Sequence, residues 1–132
     1  FVEPSVIQQI TDINYEAKKM NIDIDKTPSN KIFAKRIITN LNRLTKSFEP
    51  QQADAVVELF DIVSKLDLQI DISEAQNVYY NKIYHRIGDI IENNSKEPRE
   101  KDIKFIKLLL NIGINLNINV DFYKVKLAKL GY

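Results

Sequence analysis

An internal repeat limits the architectures open to this sequence more than any other feature. Residues 20–25, 66–71 and 112–117 share one pattern of alternating apolar and polar side chains, at offsets of 46 and 46 residues. Upstream apolar positions agree in the same register, in the sets Ile13/Leu59/Phe105 and Ala17/Val63/Leu109. A Glu-Pro pair opens each unit, at Glu3-Pro4, Glu49-Pro50 and Glu97-Pro98. A period near 46 residues is typical of paired-helix repeats.

Each unit predicts a first helix, a short extended link and a second helix. In the first helices apolar residues recur every three or four positions, and a proline start costs no intrahelical hydrogen bond. The third Glu-Pro pair comes two residues late, so we expect a shorter first helix there. The links alternate, which predicts that Ile22/Ile24, Leu68/Ile70 and Ile114/Leu116 point into one core. Second helices are predicted over 28–48, 73–93 and 120–130.

These elements predict an all-α fold of six helices. They form three antiparallel helical hairpins repeating at about 46 residues, and the hairpins either stack or close into a bundle. We expect a single helical domain with hairpin units 1–48, 49–96 and 97–132. Because the sequence begins at Phe1 without Met, we expect it to be a piece of a longer chain.

Composition removes most residue-level enzyme signatures. The chain has no Cys, one His and three Gly, which argues against a disulfide framework, a multi-His zinc site and a phosphate-binding glycine loop. The 19 basic and 18 acidic residues leave a net charge of +1, unlike a nucleic-acid-binding protein. Residues 96–132 hold eight basic and four acidic side chains, which we interpret as a solvated helix face.

We therefore predict no catalytic residue, no metal and no cofactor in this chain. No apolar run reaches the length of a membrane helix and no signal peptide is visible, so we expect no membrane partner and a cytoplasmic location. Frequent Ile, Asn and Lys suggest a bacterial source. The carboxylates Asp23, Asp25, Asp67 and Asp71 recur in the repeat register, which favours link and cap roles over a metal site. Ser73 and Gln76 match a capping box.

The second helix of the second unit carries the candidate binding residues. Helical spacing places Asn77, Tyr80, Asn81 and Tyr84 on adjacent turns of one face, with His85 beside Asn81. Tyrosines with amides suit stacking and hydrogen bonding to a sugar or a protein. The alternative, which we favour, is that the tyrosines bury their rings at repeat junctions and direct their hydroxyls to water.

Residues 66–80 also resemble a segment of a known enzyme family. The most specific part is Glu74-Ala75-Gln76-Asn77. The segment resembles the link and helix in the all-helical region that follows the catalytic barrel of glycoside hydrolase family 57-type proteins, which are α-amylase- and α-mannosidase-like. The resemblance implies a noncatalytic accessory domain, with the catalytic carboxylates on a barrel outside this chain. Its partner would be another domain of the same chain, a protein or a carbohydrate. The alternative is a free-standing helical-repeat module for protein–protein interaction.

Overall fold

The structure, a computed structural model, describes residues 4–132. Glu3 of the first Glu-Pro pair lies outside this part. Within it the chain forms helices and no strand, which confirms the predicted all-α class. None of the described helices is long and apolar enough to cross a membrane. The helices are α1 Pro4–Lys19, α2 Thr27–Lys46, α3 Pro50–Lys65, α4 Ser73–Lys82, α5 Tyr84–Asn93, α6 Glu100–Asn115 and α7 Asp121–Lys129.

The helix predicted over 73–93 is divided at Ile83 into α4 and α5, so the six predicted helices appear as seven helical segments in residues 4–132. Ile83 stays in the right-handed region, but its φ of −119° departs from the usual helical value, and the Arg86 amide donates to the Ile83 carbonyl at 3.0 Å, three residues back. Different neighbours hold the two halves. In α4 the Tyr79 hydroxyl donates to the Leu109 carbonyl at 2.8 Å, whereas in α5 the Arg86 side chain donates to the Thr45 carbonyl at 3.0 Å.

The three first helices, α1, α3 and α6, end in the same way. Each is followed by an Asn or Asp in the left-handed conformation, at Asn21 (φ 55°), Asp67 (φ 53°) and Asn117 (φ 56°). At each end the next amide donates back to a carbonyl five residues earlier, which closes a Schellman motif and satisfies the last helical carbonyls. These bonds are Ile22 to Ala17 at 2.8 Å, Leu68 to Val63 at 3.0 Å and Ile118 to Gly113 at 2.9 Å.

The third link lies four residues later than predicted. The left-handed residues are separated by 46 and then 50 positions, so assigning the link to 112–117 was wrong. Ile112 and Gly113 are buried inside α6, which is 16 residues long like α1 and α3. The expected shortening of this helix was therefore also wrong, and Pro98 precedes the helix that begins at Glu100. Four residues are about one helical turn, so either register presents the same apolar face.

The link side chains divide between core and surface. Leu68 and Leu116 are buried, and Ile24 and Ile70 are half-buried. Ile22 and Ile114, which were predicted to point into the core, are 52% and 50% exposed. Ile114 belongs to the last turn of α6 rather than to a link, and Ile22 follows α1, a 16-residue helix that buries Asn14 and Ala17.

The second helices start at side-chain turns rather than at the predicted capping box. Asp25, Asp71 and Asn119 each accept the amide two residues later, at 3.0, 3.0 and 2.9 Å. This agrees with the predicted link role of Asp25 and Asp71, whereas the N-cap residues are Lys26 and Ile72, which make no side-chain cap bond. Gln76 does not reach back to cap α4, because its side chain donates to the Leu116 carbonyl at 2.8 Å.

Packing follows the order of the helices along the chain. Helix α2 packs on α1, α3 and α4; α3 packs on α6; and α5 packs on α6 and α7. Buried side chains are concentrated in α2, α3 and α6, which bury six, five and seven residues. In α1 the buried residues are Asn14 and Ala17. The core contains Phe33, Ile37, Leu41, Leu44, Val56, Ile83, Ile87, Ile106, Leu109, Ile112 and Leu116, each at 0% exposure.

Candidate functional site

The five residues singled out from the sequence lie around the junction of α4 and α5. We call Asn77, Tyr80, Asn81, Tyr84 and His85 the aromatic surface. All are exposed except Tyr84, which is half-buried. The rings of Tyr80 and Tyr84 are stacked, with centroids 5.4 Å apart and planes at 22°. The structure therefore brings the three predicted rings together; on α4, Asn77 lies about one turn before Tyr80, and Asn81 follows Tyr80 directly.

The helix break at Ile83 places His85 in this cluster. Residues five positions apart on an unbroken helix point about 140° away from each other. Here the His85 ring nonetheless lies edge-on to Tyr80 at 5.7 Å and to Tyr84 at 5.5 Å. The predicted neighbour of His85 was Asn81, whereas the observed ring contacts are these two tyrosines. Both of these contacts join the His85 imidazole to an aromatic ring rather than to a charged group.

Two buried tyrosines support the surface from below. The Tyr84 ring packs against Tyr123 of α7 at 4.8 Å and faces Tyr79 at 6.5 Å. Burial raises the pKa of the Tyr79 hydroxyl far above its usual range, and the neighbouring Tyr84 and Tyr123 add to the shift. Burial is also the main cause of the raised pKa of Tyr123. Both hydroxyls therefore stay protonated at neutral pH, and that of Tyr79 is a buried hydrogen-bond donor.

The tyrosines thus match neither of the two interpretations of the sequence, a binding surface or buried packing at repeat junctions, in every respect. Tyr79 and Tyr123 bury their rings between helices, as the packing alternative predicts, but the Tyr79 hydroxyl bonds to a backbone carbonyl instead of water. Tyr80 remains 52% exposed. Sequence reasoning missed the part played by Tyr123, because it lies 39 positions after Tyr84 and no local spacing connects them.

Three of the four link carboxylates, Asp25, Asp67 and Asp71, have structural partners. A hydrogen bond from the Thr27 backbone lowers the pKa of Asp25, and bonds from the Ser73 hydroxyl and amide lower that of Asp71. Asp67 pairs with Lys18 at 3.0 Å. Across residues 4–132, no group of three or more His, Asp or Glu side chains is placed to hold a metal ion.

An arginine missed in the sequence ties the site to the core. The Arg86 guanidinium lies 3.6 Å from the centroid of the Phe48 ring, and Phe48 packs on Phe105 at 4.8 Å. With its hydrogen bond to the end of α2, this contact fixes the first turn of α5 just after His85. The sequence contains little indication of this role, since Arg86 is a polar residue next to the apolar stripe of the helix and is not part of that stripe.

The chain matches no protein-family model, and comparison with curated proteins and with solved structures gives no significant match. The resemblance of residues 66–80 to an accessory region of glycoside hydrolases therefore remains a prediction.

Proposed function

We propose that the chain is a noncatalytic helical scaffold domain that binds another domain or a protein through the aromatic surface. The observation that carries this proposal is the stacked pair of Tyr80 and Tyr84, half open to solvent and resting on buried Tyr79 and Tyr123. Exposed tyrosines are favoured at interfaces because they combine a large apolar ring with a polar hydroxyl.

The aromatic surface is suitable for binding because its rings are already held in place before a partner arrives. Tyr84 is held between Tyr80, His85 and Tyr123, with ring centroids 4.8 to 5.5 Å away. A side chain that is already fixed loses little rotamer entropy when a partner arrives, so more of the contact energy appears as affinity. Asn77 and Asn81 supply polar donors and acceptors at the rim.

The more specific form of the proposal is an accessory domain of a carbohydrate-active enzyme. It rests on the resemblance at Glu74-Ala75-Gln76-Asn77 and on chemistry, since tyrosine rings stack on the apolar faces of sugars while amides bond to hydroxyls. The free-standing interaction module is the second candidate, and the exposed apolar side chains Ile13, Met20 and Val125 favour it. A catalytic domain in the same open reading frame would distinguish the first from the second.

Site-specific photocrosslinking in the source cells tests the proposal. Benzoylphenylalanine placed at Tyr80 is expected to give a crosslinked partner or an intramolecular crosslink to another domain, identified by mass spectrometry. The same probe at Tyr15, which is 59% exposed on α1, is the matched control. Products shared by both positions, or none at Tyr80, would refute binding through the aromatic surface.

The carbohydrate form has its own test, a titration of the isotope-labelled chain with malto-oligosaccharides followed by NMR. We expect shifts confined to Tyr80, Tyr84, His85 and the two asparagine amides, and their loss in Tyr80→Ala. An unperturbed spectrum at millimolar sugar would exclude this form and leave the protein-binding form to the crosslinking result.

A further inference from the structure

A second exposed apolar region lies on α1, away from the aromatic surface. Ile13, Met20 and Ile22 are 62%, 64% and 52% exposed, and with Asp12 and Glu16 they line a concavity of about 420 Å³. We call these five residues the α1 groove. Large apolar side chains grouped in this way mark an interaction surface more often than single exposed ones do.

The repeat shows what covers this groove elsewhere in the chain. The residues of α3 and its link at the same positions, 46 further on, are Leu59, Leu66 and Leu68, and they are only 6%, 3% and 7% exposed. Helix α2, the second helix of the preceding hairpin, packs on α3, and Leu59 lines one cavity with Arg36 and Asn40 of α2. The α1 groove thus has the shape and chemistry that receives a second helix of this same type.

Hydrogen bonds accompany this packing at both internal junctions. Asn30 of α2 accepts the Gln69 amide in the following link at 3.1 Å, and Gln76 of α4 donates to the Leu116 carbonyl at 2.8 Å. Both side chains stand three residues after the start of their helix, at Thr27 and Ser73. In α7, which begins at Asp121, the same position is Lys124.

The end of the chain carries an exposed surface built around that lysine. Ile114, Val125 and Tyr132 are 50%, 54% and 51% exposed. Ile114, Lys124 and Tyr132 line a groove of about 380 Å³ between α6 and α7, with Leu110 at its base. We call Ile114, Lys124 and Tyr132 the α7 groove. It corresponds to the side of α2 that packs on the next hairpin.

The two grooves carry opposite charges. Asp12 and Glu16 belong to the α1 groove, and Asp23 and Asp25 follow in its link. Lys107 and Lys124 both line the α7 groove, whereas Lys126 and Lys129 lie on the opposite side of α7, where Lys126 packs over the Phe122 ring. Complementary charge around two apolar patches favours their mutual encounter and disfavours contact of either patch with its own copy.

From these observations we propose that a second copy of this chain docks head to tail, with its α1 groove on the α7 groove of the first. Lys124 then donates to the Met20 carbonyl of the next copy, as Gln76 does to Leu116 within the chain. The contact joins two different surfaces, so it leaves one groove free at each end and adds further copies. The aromatic surface takes no part in this contact, so a failed test of head-to-tail docking leaves the proposed binding through the aromatic surface unaffected, and the reverse also holds.

Analytical ultracentrifugation of the chain and of two blocked variants tests the head-to-tail contact. Met20→Glu places a charge in the α1 groove and Ile114→Glu places one in the α7 groove; both side chains are exposed, so the fold should persist. We expect the mass of the unmodified chain to rise with concentration beyond that of a dimer, and each variant to associate at least about tenfold more weakly. An equimolar mixture of the two variants should form a single heterodimer, because each supplies the groove that the other lacks.

The control variant is Tyr15→Glu, which changes a side chain of similar exposure about 140° around α1 from Met20 and should associate like the unmodified chain. A chain that stays monomeric at every concentration would overturn the proposal and assign the α1 groove to a different partner. Self-association of Ile114→Glu into a closed dimer would overturn it equally, since that result requires contact between two α1 grooves. Circular dichroism of each variant confirms that the fold is retained.

Discussion

Gly113 is the position where the structure makes the sharpest stability prediction. A methyl group at its Cα would lie 2.6 Å from the Tyr79 hydroxyl oxygen and 2.7 Å from a Val120 methyl carbon. Tyr79 is fully buried and bonded to the Leu109 carbonyl, and Val120 is 2% exposed, so neither side chain has free space into which to move. We expect Gly113→Ala to destabilise the fold although the residue lies inside a helix.

Two opposing effects decide the sign. Alanine in place of glycine favours a helix by about 1 kcal/mol. Overpacking a closed core costs about 1–3 kcal/mol, and displacing Tyr79 from its buried carbonyl partner costs about 1–3 kcal/mol more. The losses exceed the gain, and we expect a net decrease of about 2 kcal/mol in the free energy of unfolding. For a chain of this size that is a fall of roughly 8 °C in Tm.

Thermal and urea unfolding followed by circular dichroism measure this change. Gly88→Ala is the matched control, because it has the same helix-propensity gain but its methyl group meets Tyr123 at 3.3 Å, a contact that a small shift relieves. We expect it to stay within about 1 kcal/mol of the unmodified chain. In the background of Gly113→Ala, Tyr79→Phe should cost less than it does alone. A Tm of Gly113→Ala at or above that of the unmodified chain would refute the close packing of α4 on α6.

Two further substitutions test polar contacts. Asn94 is fully buried and its amide donates to Asp102 at 3.1 Å, so Asn94→Ala should lower the free energy of unfolding by about 3 kcal/mol in urea titrations, whereas exposed Asn93→Ala should change little. Equal effects of the two would contradict the buried position. Hydrogen bonding and charge from Lys18 lower the pKa of Asp67, so this pair stabilises the fold above the pKa that Asp67 has in the unfolded chain, and the effect is lost as pH falls through the folded value. Carboxyl NMR titration should show the pKa of Asp67 rising in Lys18→Met; an unchanged value would exclude the ion pair.

Helical spacing in the sequence predicted which residues form the aromatic surface, but it did not predict how the surface is built. Spacing of three and four identified Tyr80 and Tyr84 as neighbours, and their rings are stacked. Local spacing has no means of predicting that the helix is interrupted at Ile83, because the interruption depends on Tyr79 and Arg86 bonding to different helices. The contact of Tyr84 with Tyr123 in α7 was not predicted for the same reason, since it is a tertiary contact between residues far apart in sequence.

The register of the third unit shows how much an apolar pattern determines. Because offsets of 46 and 50 differ by about one helical turn, Leu109 or Phe105 can stand at the position of Leu59 with no conflict in the apolar stripe. The C-terminal ends of the first helices, α1, α3 and α6, distinguish the two registers. An Asn or Asp tolerates the left-handed conformation, and the apolar residues on either side of it close the Schellman motif on the core. Residues 116–118 repeat this apolar–Asn–apolar order of residues 20–22, whereas in the predicted link Gly113 took its place. The added turn is what sets Gly113 beneath Tyr79, and the close approach of these two residues joins the second hairpin to the third.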